Sequence, residues 1–381
     1  MVVGMAIGDV VDLEFRSFRD EVTGIEVTCL SDGFGNTMHP YFTQNFMDRA
    51  GRKILCVSDR TGWWQIYLLN LEEESMIQLS EDAFVRPHAP CLSYDGRVAY
   101  YWDGWVLKAV DTESLQGRTL YMTPNGFDPT ILSITPDGRY LAFAYSESIP
   151  QSVLKGRIYS GQLERMYLRP RSVVMRFDLV KEEAEPLWGE CEWISHVNIS
   201  PVDPDIVLFC HEGPWHLVQR MWIVKASTHE VYPLLRQERY VERAGHEFFT
   251  ESGRVATQFS RRESPNSKNW VFYDAYLNVD GSGLKMFKYR YAGPGHMHSR
   301  NERFSVGDRA FTDNSKEGRA FIGLTIYEGE EAIVKRICKH DSSWQTQNSH
   351  PHPVITPDNK NVVFSSDRKG RCNLYMVPIE A

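Results

Sequence analysis

Residues 54–68 read ILCVSDRTGWWQIYL, and a related stretch, VVFSSDRKGRCNLYM, stands at residues 362–376. In each stretch a short apolar run leads into Ser-Asp-Arg-x-Gly, and a tyrosine follows eight residues after the aspartate, as Asp59 precedes Tyr67 and Asp367 precedes Tyr375. Apolar runs on either side of a polar, glycine-containing pentapeptide predict a strand, a tight turn and a second strand. An internal copy of such a unit indicates a repeat architecture.

A polar turn in front of an apolar strand recurs along the whole chain. Proline presets φ, aspartate bonds its own backbone and glycine accepts positive φ, so these sequences favour turns. Most of the seven turns are spaced about 40–50 residues apart, the period of a four-stranded propeller blade. The turns are Asp48–Arg52, Tyr94–Arg97, Thr135–Arg139, Glu251–Arg254 and Thr356–Lys360, with weaker versions at Ser200–Pro204 and Asn301–Arg303.

The repeat predicts an all-β protein, a seven-bladed β-propeller that forms a single domain over residues 1–381. The last turn begins too near the C-terminus to complete a blade, so we expect the segment Gly24–Leu30 to supply the missing strand and close the ring. Such closure removes a free sheet edge. The long gap between Gly138 and Pro204 predicts an insertion near residues 147–171, the best place for a short helix. A two-domain β protein is the structural alternative.

Composition narrows the class of protein. Of 381 residues, 42% are hydrophobic and 24% charged, which excludes disordered, collagenous and coiled-coil chains. The net charge of −8 argues against a nucleic-acid partner, and no apolar run approaches the ~18 residues that a membrane helix needs. The start, MVVGMAIGDVVDLEF, is a poor secretory signal, because it has no basic region and contains Asp9 and Asp12. Seven cysteines without a CxxC pair favour buried free thiols in a reducing cytoplasm, where we expect the protein to be.

Histidines concentrate in two clusters. The run QNSHPHP (residues 347–353) precedes the Thr356 turn, and GHMHSR (residues 295–300) precedes the Asn301 turn, which is the same position in the neighbouring repeat. In a strand, His350 and His352 would share a face, and the prolines favour extended backbone. A single H-x-H pair in a strand is more often not a metal site, but two clusters at equivalent positions favour one. Imidazoles with the amide oxygen of Gln347 suit Mn²⁺, Fe²⁺ or Zn²⁺.

Other polar residues stand at comparable positions. His246 precedes the Glu251 turn, so we expect it on an inner strand, as a site residue or as a residue that merely lines the channel. Arg220 is a candidate anion clamp, because guanidinium pairs bidentately with carboxylate; the alternative is a solvated arginine at a strand end. His216, His229 and His340 belong to no cluster of candidate residues, and we expect them in loops or on the surface.

The chain resembles the oligogalacturonate lyases, polysaccharide lyase family 22, which are seven-bladed propellers. The resemblance spans the chain and is sharpest from about residue 205 onward. The stretches that carry this resemblance are FCHEGP (209–214) with RMW (220–222), GHEF (245–248), GHMHS (295–299), HDSSW (340–344), QNSHPHP (347–353) and TPD (356–358). The resemblance is weaker towards the N-terminus, where HPYF (39–42) lies at the position at which the family has a histidine and aromatic residues near the channel.

The resemblance also implies a site. It implies a Mn²⁺ ion, or another divalent transition metal, held by His296, Gln347, His350 and His352. It implies His246 as the Brønsted base and Arg220 as the catalytic arginine, and we expect further substrate contacts from His39, Tyr41, His211, His298 and Arg300. The implied reaction is β-elimination of short oligogalacturonates, such as di- or trigalacturonate, to unsaturated monouronates (4-deoxy-L-threo-5-hexosulose uronate) in pectin degradation.

Two other classes of propeller compete with a lyase. A non-catalytic, TolB-like binding or protein-interaction module fits the Ser-Asp-Arg-x-Gly repeats equally well, but it would not hold stoichiometric metal. A prolyl-peptidase-type propeller needs an α/β-hydrolase domain with a Gly-x-Ser-x-Gly elbow, and the sequence contains no such motif.

Overall fold

The computed structural model describes residues 5–149 and 161–379, and their regular secondary structure consists almost wholly of short β-strands. This confirms the all-β prediction. The first strands are β1 (Val10–Asp12), β2 (Arg16–Arg19), β3 (Glu26–Cys29), β4 (Thr37–Met38), β5 (Lys53–Ser58), β6 (Gln65–Asn70), β7 (Ser75–Gln78), β8 (Cys91–Leu92), β9 (Val98–Asp103), β10 (Val106–Asp111), β11 (Gly117–Met122), β12 (Phe127–Pro129), β13 (Ser133–Ile134), β14 (Tyr140–Glu147), β15 (Ser172–Asp178) and β16 (Glu183–Glu190). They are followed by β17 (Val197–Ile199), β18 (Ile206–Cys210), β19 (Met221–Lys225), β20 (Val231–Leu234), β21 (Glu242–Phe249), β22 (Val255–Arg261), β23 (Val271–Leu277), β24 (Lys285–Tyr289), β25 (Met297–His298), β26 (Phe304–Gly307), β27 (Phe321–Glu328), β28 (Glu331–Lys339), β29 (Val354–Ile355), β30 (Asn361–Ser366) and β31 (Asn373–Pro378).

Most strands pair with the strand next to them in the sequence, in antiparallel meanders. Four sheets follow one another along the chain in the orders β1-β7-β6-β5-β4, β11-β10-β9-β8, β12-β14-β15-β16 and β17-β18-β19-β20, with β13 also paired to β14. An eight-stranded sheet has the order β21-β22-β23-β24-β28-β27-β26-β25, and its two halves meet where β24 pairs with β28 in parallel. A meander of four strands is therefore the repeating unit.

The sixth sheet joins the two ends of the described chain. Its order is β2-β3-β31-β30-β29, and Thr28 and Cys29 of β3 stand opposite Met376 and Tyr375 of β31. The last strand thus has a partner from the N-terminal region, and β31 is not an edge strand.

The turns predicted from the sequence lie where the repeat requires them. The two Ser-Asp-Arg-x-Gly segments connect β5 to β6 and β30 to β31, and this confirms the strand–turn–strand prediction. The polar turns each lead into the second strand of a meander. At Thr135–Arg139, for example, Asp137 Oδ1 accepts a hydrogen bond from the Arg139 amide at 3.0 Å, and Gly138 has φ of 71°. The first strands of the meanders have two or three residues, except β21, which has eight. The loops in front of β25 and β29 present His296, His350 and His352.

The one α-helix of the described residues, α1 (Gln162–Leu168), lies between β14 and β15, where a short helix was expected. The predicted insertion (147–171) extends over residues 150–160, which lie outside the described part of the chain. The described part of the chain also contains two 3₁₀ turns, at Glu317–Ala320 and Gln347–Ser349. Within residues 5–149 and 161–379, no helix has the length and apolar character needed to cross a membrane.

The core lies between the sheets. Strand β5 is buried on both faces, and Ile54, Leu55, Cys56 and Val57 are all 0% exposed, as for a strand packed between two layers. All seven cysteines are free thiols, and all but Cys191 are buried, as the sequence predicted.

Candidate metal centre and catalytic cavity

Three histidines that are far apart in the sequence lie together. One nitrogen from each of His296, His350 and His352 lies within 4.8 Å of those of the other two, and all three residues are buried. The ring centroid of His296 is 4.2 Å from that of His352 and 5.3 Å from that of His350. His296 directly precedes β25, and the other two histidines stand just before β29, so two neighbouring meanders present them from the same kind of loop.

The backbone around His350 and His352 differs from the predicted strand. Residues Gln347–Ser349 form a 3₁₀ turn, and the His350 amide donates to the Gln347 carbonyl oxygen at 3.2 Å. His350 is extended (φ −79°, ψ 132°), but His352 has φ of 46°. The prediction of a strand was wrong here, because prolines on both sides of His352 cannot donate to a ladder. The left-handed residue, rather than strand alternation, brings the second imidazole to the cluster. Gln347 is half-buried in the 3₁₀ turn that precedes His350.

Asp308 fixes the orientation of His296. Its Oδ2 accepts from Nδ1–H of His296 at 2.5 Å, and its Oδ1 accepts from the backbone amide of His296 at 2.8 Å. The carboxylate is completely buried, and a Cβ on Gly295 would lie 2.5 Å from its Oδ1, so the loop needs glycine there. With Nδ1 protonated, Nε2 of His296 keeps its lone pair for a ligand. The sequence analysis missed Asp308.

These residues fit a divalent cation. Nε2 of His352 is buried and has no hydrogen-bond partner within the described residues, as expected of a nitrogen that serves as a ligand. Burial lowers the pKa of His350 to about 4 and the pKa values of His296 and His352 well below the ordinary value. The three imidazoles are therefore neutral at physiological pH, the form that coordinates metal.

His246 lies against this cluster. Its ring centroid is 4.4 Å from that of His296, and it has φ of 56° at an irregularity of the β21–β22 pairing between Gly245 and Phe248. Bulges of this kind re-aim a side chain. Trp215 packs edge-on against the imidazole at 4.8 Å and covers Gly245, where a Cβ would lie 2.8 Å from the indole.

A glutamine sets the tautomer of His246. The Nε2 group of Gln258 donates to the Pro294 carbonyl oxygen at 2.6 Å, so its Oε1 is the atom that accepts from Nδ1–H of His246, also at 2.6 Å. Nε2 of His246 is then unprotonated. Burial lowers the pKa of His246 to about 4, although the hydrogen bond that His246 donates to Gln258 acts to raise it, so the imidazole is neutral. A neutral, oriented imidazole is a competent general base.

A cavity of about 600 Å³ opens beside His246 and His296, a volume in the range of small-ligand sites. Aromatic residues, among them Trp215 and Trp344, form much of its wall, and Arg309 also lines it.

Arg220 is surrounded by acidic residues. Its Nε donates to Glu247 Oε2 at 2.9 Å, and its Nη1 lies 2.7 Å from Glu212 Oε1. Nη2 is 3.1 Å from Nδ1 of His196. Arg220 is 0% exposed, so the alternative of a solvated strand-end arginine is wrong. Burial alone would raise the pKa of Glu247. The positive charge of Arg220 and the hydrogen bond from His196 instead hold this pKa well below its ordinary value.

The N-terminal candidates pack beside the cluster without lining the cavity. The Tyr41 ring is 5.1 Å from that of His352 and 5.0 Å from that of His196. The Phe42 ring packs against the Tyr41 ring, and its centroid is 5.4 Å from that of His296. His39 donates from Nδ1 to the Pro40 carbonyl oxygen at 2.6 Å and stacks on Phe46. Their contact with a substrate stays a prediction.

The remaining predicted substrate residues lie elsewhere. His298 and Arg300 line a different cavity, of about 320 Å³, and Arg300 forms an ion pair with Glu251 at 2.6 Å. His211 bonds Glu190 at 2.7 Å and packs on Trp222 at 4.8 Å. The structure thus does not bring these three side chains to the cavity beside His246.

Two further histidines belong to the surroundings of the site. His340 is 1% exposed, and its Nε2 lies 2.9 Å from the Arg319 carbonyl oxygen, so the expectation of a loop or surface residue was wrong. Nε2 of His88 lies 2.9 Å from the side-chain oxygen of Asn348, within the Gln347–Ser349 turn.

Comparison with known protein families gives a match over nearly the whole chain. The family model described as oligogalacturonate lyase matches residues 5–381. The chain belongs to this family. The match confirms the resemblance seen in the sequence, and it does not favour a non-catalytic module.

The chain and several members of the oligogalacturonate lyase family are similar from end to end. It is 28% identical to an oligogalacturonide lyase of Pectobacterium atrosepticum and 26% identical to an oligogalacturonate lyase of Dickeya dadantii, each over 98% of both chains. A solved oligogalacturonate lyase in complex with manganese superposes with a TM-score of 0.87 at 25% identity, covering 99% of both chains.

Proposed function

We propose that this protein is a metal-dependent lyase that cleaves short oligogalacturonates, such as di- and trigalacturonate, by β-elimination. The product would be the unsaturated monouronate, 4-deoxy-L-threo-5-hexosulose uronate, formed in pectin degradation. The observation that carries the proposal is the convergence of His296, His350 and His352 beside the neutral imidazole of His246 at one cavity. Membership of a family of lyases supports it.

The chemistry explains why this arrangement suits the reaction. A base removes the C5 proton of a uronate, the C4–C5 double bond forms, and the bond from C4 to the glycosidic oxygen breaks, after which the oxygen takes up a proton. The C5 proton is only weakly acidic, because its removal adds a second negative charge to the neighbouring carboxylate. Positive charge fixed beside that carboxylate therefore lowers the barrier.

The chain's own residues divide this work. Nε2 of His246, unprotonated because Gln258 holds the proton on Nδ1, would accept the C5 proton, a contribution typically worth ~10²–10⁴ in rate. His296, His350, His352 and the amide oxygen of Gln347 would hold Mn²⁺ or another divalent transition metal. The cation would supply positive charge for the developing enediolate. The resemblance assigns the catalytic arginine to Arg220, and we keep that role as a prediction.

We further propose seven blades in one domain. The four sheets that precede β21, the two halves of the eight-stranded sheet and the sheet shared by both chain ends support this count, and β3 beside β31 would close the ring. We propose a cytoplasmic location because all seven cysteines are free thiols. The net charge of −8 argues against a nucleic acid as a partner.

The test is incubation of the protein with digalacturonate and Mn²⁺, with the product followed by chromatography. We expect the unsaturated monouronate to form, to stop forming after treatment with a chelator, and to return when Mn²⁺ is added back. Absence of product from digalacturonate and from other uronate dimers would refute the proposal.

A further inference from the structure

The cavity beside His246 carries positive charge that the roles above do not use. Arg243, Arg309 and Arg319 line it, and none of its lining residues in the described part of the chain is an aspartate or a glutamate. A cavity without acidic groups concentrates its cationic field on whatever enters it.

Arg309 stands next to the histidine cluster without a carboxylate partner. Its guanidinium lies 4.8 Å from the ring centroid of Trp344, and the Trp344 ring stacks on His296 at 5.8 Å with 14° between the planes. No carboxylate in the described structure is within ion-pair distance of Arg309, although its charge contributes to lowering the pKa values of His296 and His350. Arg309 is half-buried and lines the cavity.

Arg243 is a second guanidinium without an acidic partner. Its Nε donates to Ser260 Oγ at 2.6 Å, and its charge lies over the rings of Trp270 at 4.1 Å and Phe272 at 5.5 Å. These contacts fix the plane of the guanidinium and leave both Nη groups without a hydrogen bond in the described structure. Burial and the neighbouring Arg262 lower the pKa of Arg243 to about 10, so an anion beside it would be favourable.

The other arginines considered for anion binding are already committed. Arg220 shares its guanidinium between Glu212 and Glu247, and Arg300 is paired with Glu251. A substrate carboxylate at either would have to displace a protein carboxylate, whereas Arg309 and Arg243 need only lose water.

We propose that Arg309 binds the carboxylate of the reacting uronate and that Arg243 binds the carboxylate of the adjoining unit. The inference rests on the proposed function and deepens it. Arg309 receives the first role because its ring partner, Trp344, stacks on His296. Arg243 receives the second because it lies three residues before His246 on β21 and packs on Trp270 and Phe272 rather than on a ring of the cluster. The protein is then specific for oligosaccharides that carry free carboxylates on two successive units.

The two roles predict different kinetic losses. Charge on the reacting carboxylate grows in the transition state, so Arg309→Gln lowers kcat about 10- to 100-fold. Charge on the adjoining carboxylate is the same in the ground and transition states, so Arg243→Gln raises KM about 10- to 100-fold and leaves kcat within about twofold. Arg243→Lys retains charge but not the planar fork, and it recovers only part of the loss.

The experiment compares digalacturonate with its methyl ester on the non-reacting unit. Wild-type protein is expected to prefer the free acid about 10- to 100-fold in kcat/KM, and Arg243→Gln to prefer it no more than about twofold. Arg309→Gln keeps the preference of the wild type. Arg290→Gln is the control, because Arg290 also lies over an aromatic ring, that of Tyr291 at 5.6 Å, but does not line the cavity; it keeps both the rate and the preference.

The outcomes separate the two proposals. If wild-type protein makes no product from digalacturonate, the proposed function fails. If it does, and the correctly folded Arg243→Gln variant, checked by its melting temperature, still prefers the free acid as the wild type does, the assignment of Arg243 is overturned. An Arg309→Gln variant with wild-type kcat overturns the assignment of Arg309.

Discussion

Replacing Asp308 with asparagine exchanges one carboxylate oxygen for an NH2 group, which removes a negative charge and leaves the volume almost unchanged. In the wild type, Oδ1 accepts from the His296 amide at 2.8 Å and Oδ2 accepts from Nδ1–H at 2.5 Å. Asparagine retains the first bond through its oxygen but presents an N–H group to Nδ1. The imidazole must then place its proton on Nε2, the nitrogen that would face the metal, or leave two N–H groups opposed at short range.

The expected size of the effect follows from this geometry. Partners that orient a metal-binding histidine typically contribute 10–100-fold in affinity, which is about 1.4–2.7 kcal/mol. Because Asp308 is 0% exposed, water has no access to relieve the opposed donors. We therefore expect the Mn²⁺ dissociation constant of Asp308→Asn to rise by at least tenfold and towards 100-fold.

Titration calorimetry with Mn²⁺ on the metal-free protein measures this directly. Asp274→Asn is the matched control, because Asp274 is also 0% exposed and accepts from the hydroxyls of Tyr289, Tyr327 and Ser305 at 2.6–2.9 Å, away from the cluster. Because hydroxyl groups can rotate to suit an amide, Asp274→Asn should bind Mn²⁺ with the same affinity as the wild type. An Asp308→Asn variant that binds Mn²⁺ as tightly as the wild type would show that the tautomer of His296 does not matter for metal binding.

Four other outcomes are expected. His246→Gln should lower kcat by about 10²–10⁴ while titration calorimetry shows unchanged Mn²⁺ affinity, and a wild-type rate would exclude His246 as the base. Gln258→Glu should place a carboxylate on Nδ1 of His246 and raise its pKa, so the acid limb of the kcat/KM profile should move to higher pH; an unmoved limb contradicts the tautomer argument. His39, His246 and His350 have pKa values of about 4 in the folded protein, against about 6.5 in the unfolded chain. Because the unfolded chain binds protons at a higher pH than the folded protein does, the melting temperature should fall as the pH drops from 6.5 towards 4. A melting temperature that does not change over this range would mean that these imidazoles are not buried in solution. Arg220→Gln leaves Glu212 and Glu247 buried without their cation and should cost about 3–5 kcal/mol in urea unfolding, and an unchanged midpoint would contradict the buried ion pairs.

The fold was predictable because its information is local and repeated. Each Ser-Asp-Arg-x-Gly or Pro-Asp-Gly segment specifies a turn by itself, whatever the rest of the chain does. The pairing of β24 with β28 could not be foreseen, since Lys288 and Glu331 carry no pattern that distinguishes a strand neighbour from an exposed edge.

The histidine cluster was predictable in membership but not in conformation. Two histidine-rich runs at equivalent places in neighbouring repeats were sufficient to bring His296, His350 and His352 together. The positive φ of His352 was not visible, because the residue before a proline ordinarily prefers extended backbone. Strain of this kind is usually found where a site requires it.

Partners that act through long-range contacts were the hardest to predict. Asp308 is a single aspartate after an apolar strand, a very common pattern, and only the fold places it on His296. Arg220 looked available for a substrate because Glu212 and Glu247 are 8 and 27 positions away, and nothing in the sequence pairs them.

The shared sheet of β2, β3, β29, β30 and β31 has a consequence for the order of refolding. Strand β3 (Glu26–Cys29) pairs with β31 (Asn373–Pro378), so almost the whole described chain lies between the two partners. Contacts between segments so far apart in sequence form slowly, because the chain between them must first be brought together. The loop that carries His350 and His352 directly precedes β29 of this sheet, so we expect the histidine cluster to be completed in one of the last steps of refolding.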